Sequence, residues 1–234
     1  MSSFQIAAVS FTIAGPLLLW RLCRGEHAEH VTRQVRHGLA FALALFFLGD
    51  LAAECFTEPF RPNELLPMHL CDWALIAVAA AVWWRWQTGF ELGYFWGLAG
   101  TLQALFTPAI DGTAAWWRLF GFFFAHALII VTVLHLLITE RMRPWPASLG
   151  RVFIWSEAFL VCALMTNTLT GSNFGFLAHR PSQPTLLDQF SDTHWLYVLQ
   201  INLVGLAAFA LLYLPWLIYD SLSRRRTTSA TPPA

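Results

Sequence analysis

Seven runs of about twenty mostly apolar residues, joined by short polar connectors, fill nearly all of this 234-residue chain. A run of that length crosses the roughly 30 Å hydrocarbon core of a bilayer as an α-helix. In lipid every backbone N–H and C=O must be satisfied internally, which helices do within one segment. The expected fold is therefore all-α, a polytopic membrane helical bundle with helices at about 3–22, 38–56, 65–84, 90–107, 115–139, 150–170 and 195–219. Helices 1 and 3 carry the weakest signals, with Pro16 inside the first and Pro67 in the opening turn of the third, and six is the fallback count. Composition agrees: 57% of residues are hydrophobic and 12% charged, too apolar for a soluble domain of this size. One transmembrane domain, 1–226, and a small polar tail, 227–234, expected to be disordered, account for the sequence. Residues 1–10 lack the basic start of a cleaved signal peptide, so the first helix is expected to be retained.

Charge placement gives an orientation. All fourteen basic residues are arginine, and eleven fall on one side: Arg21, Arg24, Arg33, Arg36, Arg85, Arg141, Arg143, Arg151 and Arg224 to Arg226. The positive-inside rule then puts the N-terminus outside and the C-terminus in the cytoplasm of a multi-pass cell-membrane protein. The formal net charge is zero, and no basic stripe calls for nucleic acid as a partner. Gly89, Gly93 and Gly97 repeat every fourth residue on helix 4, a groove that suits close packing of another helix, either within the chain or in a homodimer.

Ionisable and amide side chains inside spanning segments cost about 2.5–3.5 kcal/mol each on insertion scales for the charged ones, so each calls for a partner or a task. Most fall toward the outer side: Asp50 and Glu54 on helix 2, His69, Cys71 and Asp72 on helix 3, Gln103 on helix 4, His126 on helix 5, Asn167 on helix 6, and Gln200 and Asn202 on helix 7. A polar chamber open to the outside is the expected result, capped by the connector 171–194, whose Phe174, Phe176, Leu177, Leu186 and Leu187 suit a loop folded back on the bundle. In the same loop His179, Arg180 and Asp188 offer either a phosphate contact or a solvated surface.

Cys71 is the strongest nucleophile of the set, and a thiol needs a base to take its proton. His69, two residues away, does not face Cys71 on a helix; His126, from another helix at compatible depth, is the better candidate. Asp72, Asp50 or Glu54 can orient that imidazole, and Asn167 or Gln103 can donate to an oxyanion. The plainer readings are that Cys71 packs as a small hydrophobe, that His126 joins helices by a hydrogen bond, or that Cys55 and Cys71 form a disulfide in an oxidising compartment. No cofactor motif is present, and His69, His126, Asp50 and Asp72 lack the spacing of a metal site.

The segments LPMHLCDWA (66–74), FELGYFWGLAGTLQALFTP (90–108), FFFAHALII (122–130) and NTLTGSNFGFLAHRPSQPTLLD (167–188) together resemble the YwaF-like integral membrane proteins, the family whose animal relative is transmembrane protein 164. The resemblance covers roughly 38–215. It implies a fold similar to the androgen-induced membrane hydrolases and an acyltransferase that moves fatty acyl chains onto lysophospholipids. It also implies a catalytic cysteine and histidine, for which Cys71 and His126 are the matching positions. The segment after Asp188, QFSDTHWLYV, departs from the Gly-Pro-Trp-rich stretch that the family pattern leads one to expect. The expected activity is lipid acyl transfer or ester hydrolysis through Cys71 and His126, with membrane phospholipid or another fatty-acyl lipid as substrate. The competing class is a transporter or small-molecule-binding protein without catalysis, and a third is an accessory subunit packed on another membrane protein.

Overall fold

The computed structural model describes residues 1–56 and 62–229, and contains seven helical rods and no strand among them. They are α1 (Ser3–Leu22), α2 (Ala28–Cys55), α3 (Leu70–Trp84), α4 (Gln87–Trp96, continued through a π-helical stretch, Gly97–Thr101, and a last α turn, Leu102–Phe106), α5 (Trp116–Ile138), α6 (Ser148–Thr170) and α7 (His194–Ser229). Five of these, α1, α2, α5, α6 and α7, are long and apolar enough to cross a membrane by length and composition. Large apolar side chains such as Ile13, Phe41, Leu45, Ile154, Leu169 and Leu211 point outward. That surface needs lipid around it.

Three boundaries differ from the sequence expectation by five residues or more. Helix α2 starts at Ala28, not near 38, because AEHVTRQVRH, although too polar to register as a span, holds no proline or glycine to stop a helix. Its 28 residues reach about 42 Å at 1.5 Å per residue, well past the hydrocarbon core. Helix α3 starts at Leu70, after a 3-10 turn (Pro62–Leu65) and Pro67, and its 15 residues span only about 22 Å. The chain thus reaches part of the way into the bundle before α3 begins. At the far end α7 runs on to Ser229, and residues 230–234 of the expected tail lie outside the described residues.

Helix α4 is the central rod. Every residue from Gly89 to Gly97 is buried, packed between α3, α5 and α6. The glycine repeat is what allows this: a Cβ on Gly89 would lie 2.6 Å from the Ala77 carbonyl oxygen, and one on Gly93 would lie 2.2 Å from Val78 Cγ2 and 3.0 Å from Val133 Cγ2. Of the two uses expected for this groove, intramolecular packing is seen at Gly89 and Gly93. Gly93→Ala is expected to cost about 1–3 kcal/mol by overpacking. Gly121→Ala, with nothing within 4 Å of the new methyl, should cost far less, and thermal unfolding in detergent compares the two.

The arginine-rich end is cross-tied by ion pairs. Fully buried Glu91 accepts from Arg151 Nε (2.8 Å) and Nη2 (2.5 Å), from Ser148 Oγ (2.7 Å) and from Gln87 Nε2 (2.9 Å), which joins α4 to α6. Arg143 pairs with Asp220 at 2.6 Å, and Glu140 with Arg85 at 2.9 Å and Arg36 at 3.7 Å. Burial pushes the Glu140 carboxyl above the usual carboxylate range, against the pull of Arg36 and Arg85. The wholly buried ring of His135 stands 3.8 Å from Glu140, too far for a direct hydrogen bond.

Candidate functional site

At the opposite end the helices part around a cleft of about 700 Å³. The end of α2 supplies Asp50 and Glu54, the approach to α3 supplies Asn63 and His69, and α3 itself supplies Asp72. Arg118 of α5 and the stretch from Thr170 to Phe174, with His179, complete the wall. The i, i+4 spacing puts Asp50 and Glu54 on one face of α2. Arg118 holds Glu54 at 2.5 Å, so one carboxylate of the cleft is already neutralised.

His69 is the residue just before α3, and its backbone N–H donates to Asp72 Oδ2 at 2.8 Å. That bond closes the first turn and fixes the Asp72 carboxylate at the positive end of the helix dipole. Phe174 and Phe176 lie against the His69 ring, with centroids at 5.2 and 5.9 Å. Cys71 is a free, partly buried thiol whose Sγ donates to Asp72 Oδ1 over a long 3.8 Å. Asp50 is near enough for its charge to reach both Asp72 and Cys71.

His126 lies at the middle of α5, 7% exposed, under the Phe122 ring at 4.3 Å between centroids. Its Nδ1 is 2.7 Å from the Phe122 carbonyl oxygen. A carbonyl oxygen only accepts, so Nδ1 carries a proton, and in the neutral ring Nε2 is the lone-pair base. Among the described residues no hydrogen bond joins His126 to Cys71, and neither side chain lines the cleft. His69 borders the cleft.

The structure gathers only part of the expected polar level. Asp50, Glu54, His69 and Asp72 converge on the cleft; Gln103, Asn167, Gln200 and Asn202 do not line it. Gln103 is exposed and bonds Thr107 on its own helix at 3.0 Å. Buried Asn167 holds the backbone of Phe174 from both sides, accepting its N–H at 2.7 Å and donating to its carbonyl at 3.0 Å. Gln200 accepts from the Ser191 N–H at 2.7 Å, and Asn202 donates to Glu157 at 2.6 Å. The connector does fold back as a cap through Phe174 and Leu177, which are 3% and 2% exposed, whereas Leu186 stays outside. His179 joins the cleft, held by Asn173. Arg180 turns away to Asp192 at 2.9 Å, and Asp188 caps Thr185 at 2.8 Å, so the three do not form one phosphate site.

Two residues were not picked out by sequence reasoning as parts of a site. Arg118 is one of the three arginines outside the clustered eleven, and its place at the start of an expected spanning helix was the available signal. Glu91 sits at the very start of the expected helix 4, and nothing in its neighbourhood announced full burial.

Outward-facing apolar helices around a polar cleft at one end define the class as a polytopic α-helical membrane protein. The chain belongs to the TMEM164 family, whose model matches residues 1–213. No curated protein and no solved structure matches it.

Proposed function

We propose that this protein is a membrane-embedded lipid acyltransferase or lipid ester hydrolase in which Cys71 is the nucleophile and His126 the general base. The observation that carries the reading is the fixed tautomer of His126: the Nδ1–H bond to Phe122 leaves Nε2 as a base inside the bundle. The free Cys71 thiol stands at the start of α3 beside the cleft residues His69 and Asp72. Family membership supports it as well, through the acyl transfer that the resemblance implies.

In the first half-reaction His126 Nε2 takes the Cys71 proton, the thiolate adds to the acyl carbonyl, and the ester C–O bond breaks. The proton passes to the leaving alkoxide, leaving a thioester on Cys71. In the second half an acceptor hydroxyl, from a lysophospholipid or water, loses its proton to His126 and attacks the thioester. The thiol then leaves and recovers the proton. Asp72, already accepting from Cys71, and Asp50 act on the charge around the sulfur. The substrate enters from the outer leaflet, since the arginine distribution supports a cytoplasmic arginine-rich end and an outward cleft.

The test is to incubate the detergent-solubilised protein with an alkyne-tagged fatty-acyl phospholipid and look for a hydroxylamine-labile label. The expected result is label on the Cys71 peptide that Cys71→Ala abolishes. Equal labelling of folded wild type and Cys71→Ala would overturn the proposal. The rival, a solute-binding or transport chamber, draws on one observation: Cys71 and His126 do not themselves line the cleft.

A further inference from the structure

A second cavity, of about 150 Å³, lies between α6 and α7 where these two helices pack only sparsely. Its wall is almost wholly apolar, formed by Leu70, Phe153, Leu160, Leu177, Leu206 and Phe209 among others. Its polar members are paired: Asn202 donates to Glu157 at 2.6 Å, and Ser156 Oγ accepts from Trp96 Nε1 at 2.8 Å. An apolar cavity of about this volume stays dry and takes a benzene-sized hydrocarbon group.

Its position relative to the polar cleft is the informative feature. The turn at 174–177 is a shared partition: Phe174 lines the cleft, while Gly175 and Leu177 line the slot. The start of α3 divides in the same way, with His69 and Asp72 on the cleft and Leu70 on the slot. Cys71 stands in sequence between these two sets. The slot extends from Phe153 to Leu160 along α6 and from Ile201 to Phe209 along α7, about 10–12 Å of helix rise.

We propose that this slot seats the hydrocarbon tail of the acyl group whose carbonyl reaches Cys71, while the polar cleft takes the head of the lipid. The inference rests on the reading of Cys71 as the acylated residue. The occupant is hydrocarbon because the slot lies between two spanning helices, its wall is almost wholly apolar, and Leu70, next to the proposed nucleophile in the chain, lines it. Gly205 keeps the slot open: nothing lies within 4 Å of a Cβ built there, so a side chain can be added without a backbone clash. The Glu157–Asn202 bond ties the two helices across the slot, which lets the wall be loose without the helices separating.

The experiment compares wild type, Gly205→Ala, Gly205→Phe and Gly205→Trp in two assays. In the first, Cys71 is acylated from donors with two-carbon and sixteen-carbon chains. Filling the slot should lower labelling by the long chain about tenfold or more, in line with the 10–200-fold that a methylene-sized misfit brings, and leave the short chain nearly unchanged. Labelling unaltered at both lengths, in variants whose thermal unfolding matches wild type, would overturn the slot while leaving Cys71 acylation intact. The second assay uses Cys71→Ala protein and a sixteen-carbon fatty acid bearing a mid-chain diazirine. Cross-links on α6 or α7 peptides around Leu160 and Gly205 that disappear with Gly205→Trp support the slot even if wild type forms no thioester, and cross-links confined to other helices sink it. Gly205→Phe serves in both assays should Gly205→Trp fail to fold.

Discussion

His126→Ala is expected to slow acylation of Cys71 by about 10²–10⁴-fold, the range that a positioned general base contributes. The argument rests on the atom left available. Nδ1 is committed to the Phe122 carbonyl at 2.7 Å, so the ring cannot rotate to hide Nε2 without giving up that bond. Phe122 stacks on the ring at 4.3 Å and limits it further. Glu54 is held by Arg118, and Asp72, which accepts from Cys71 only over a long 3.8 Å and is engaged by the His69 N–H, is a poorer base than the free Nε2. The measurement is single-turnover thioester formation followed by intact mass, with His126→Gln as companion. Glutamine keeps polarity but supplies no base, and should be as slow as alanine. If both variants acylate at the wild-type rate while remaining folded, His126 is a packing residue and the two-residue mechanism fails.

The second large effect is structural. Arg151→Met removes a two-pronged partner from Glu91, whose side chain is wholly buried. Stranding a buried charge costs about 3–5 kcal/mol. The loss should fall at the lower end, because Arg151 is itself 39% exposed and Gln87 and Ser148 still donate to the carboxylate. Glu91→Gln is the informative partner, since it keeps the shape and removes the charge. The double variant Arg151→Met with Glu91→Gln should be more stable than Arg151→Met alone, because no charge is then stranded. Thermal unfolding of the four proteins in one detergent gives the coupling, and strictly additive losses would mean that water already solvates Glu91.

What the sequence conveyed was depth, and what it withheld was direction around each helix axis. Apolar run length marked seven helices, and clustered arginines marked the end now seen to be tied by ion pairs. The level of each polar residue along its helix was also readable, which is why Asp50, Glu54, His69 and Asp72, which line one cleft, could be grouped. Asn167, Gln200 and Asn202 stand at compatible depths but turn toward the Phe174 backbone, Ser191 and Glu157. Without neighbours to fix the rotation of each rod, a chamber and a set of separate clasps read alike. The late start of α3 had a local sign in Pro67, whereas the length of α2 was obscured because its first ten residues are too polar to register as a span.

The ties at the arginine-rich end also bear on traffic through the molecule. Glu91, Glu140 and Asp220 bind that end from α2 through α7 with separate ion pairs, and a carrier that alternates between two faces would have to undo several of them in each cycle. On the acyl-transfer reading, a departing product and an arriving lipid that both use the cleft at the far end contend for it, and accumulating product then holds back the lipid waiting behind it.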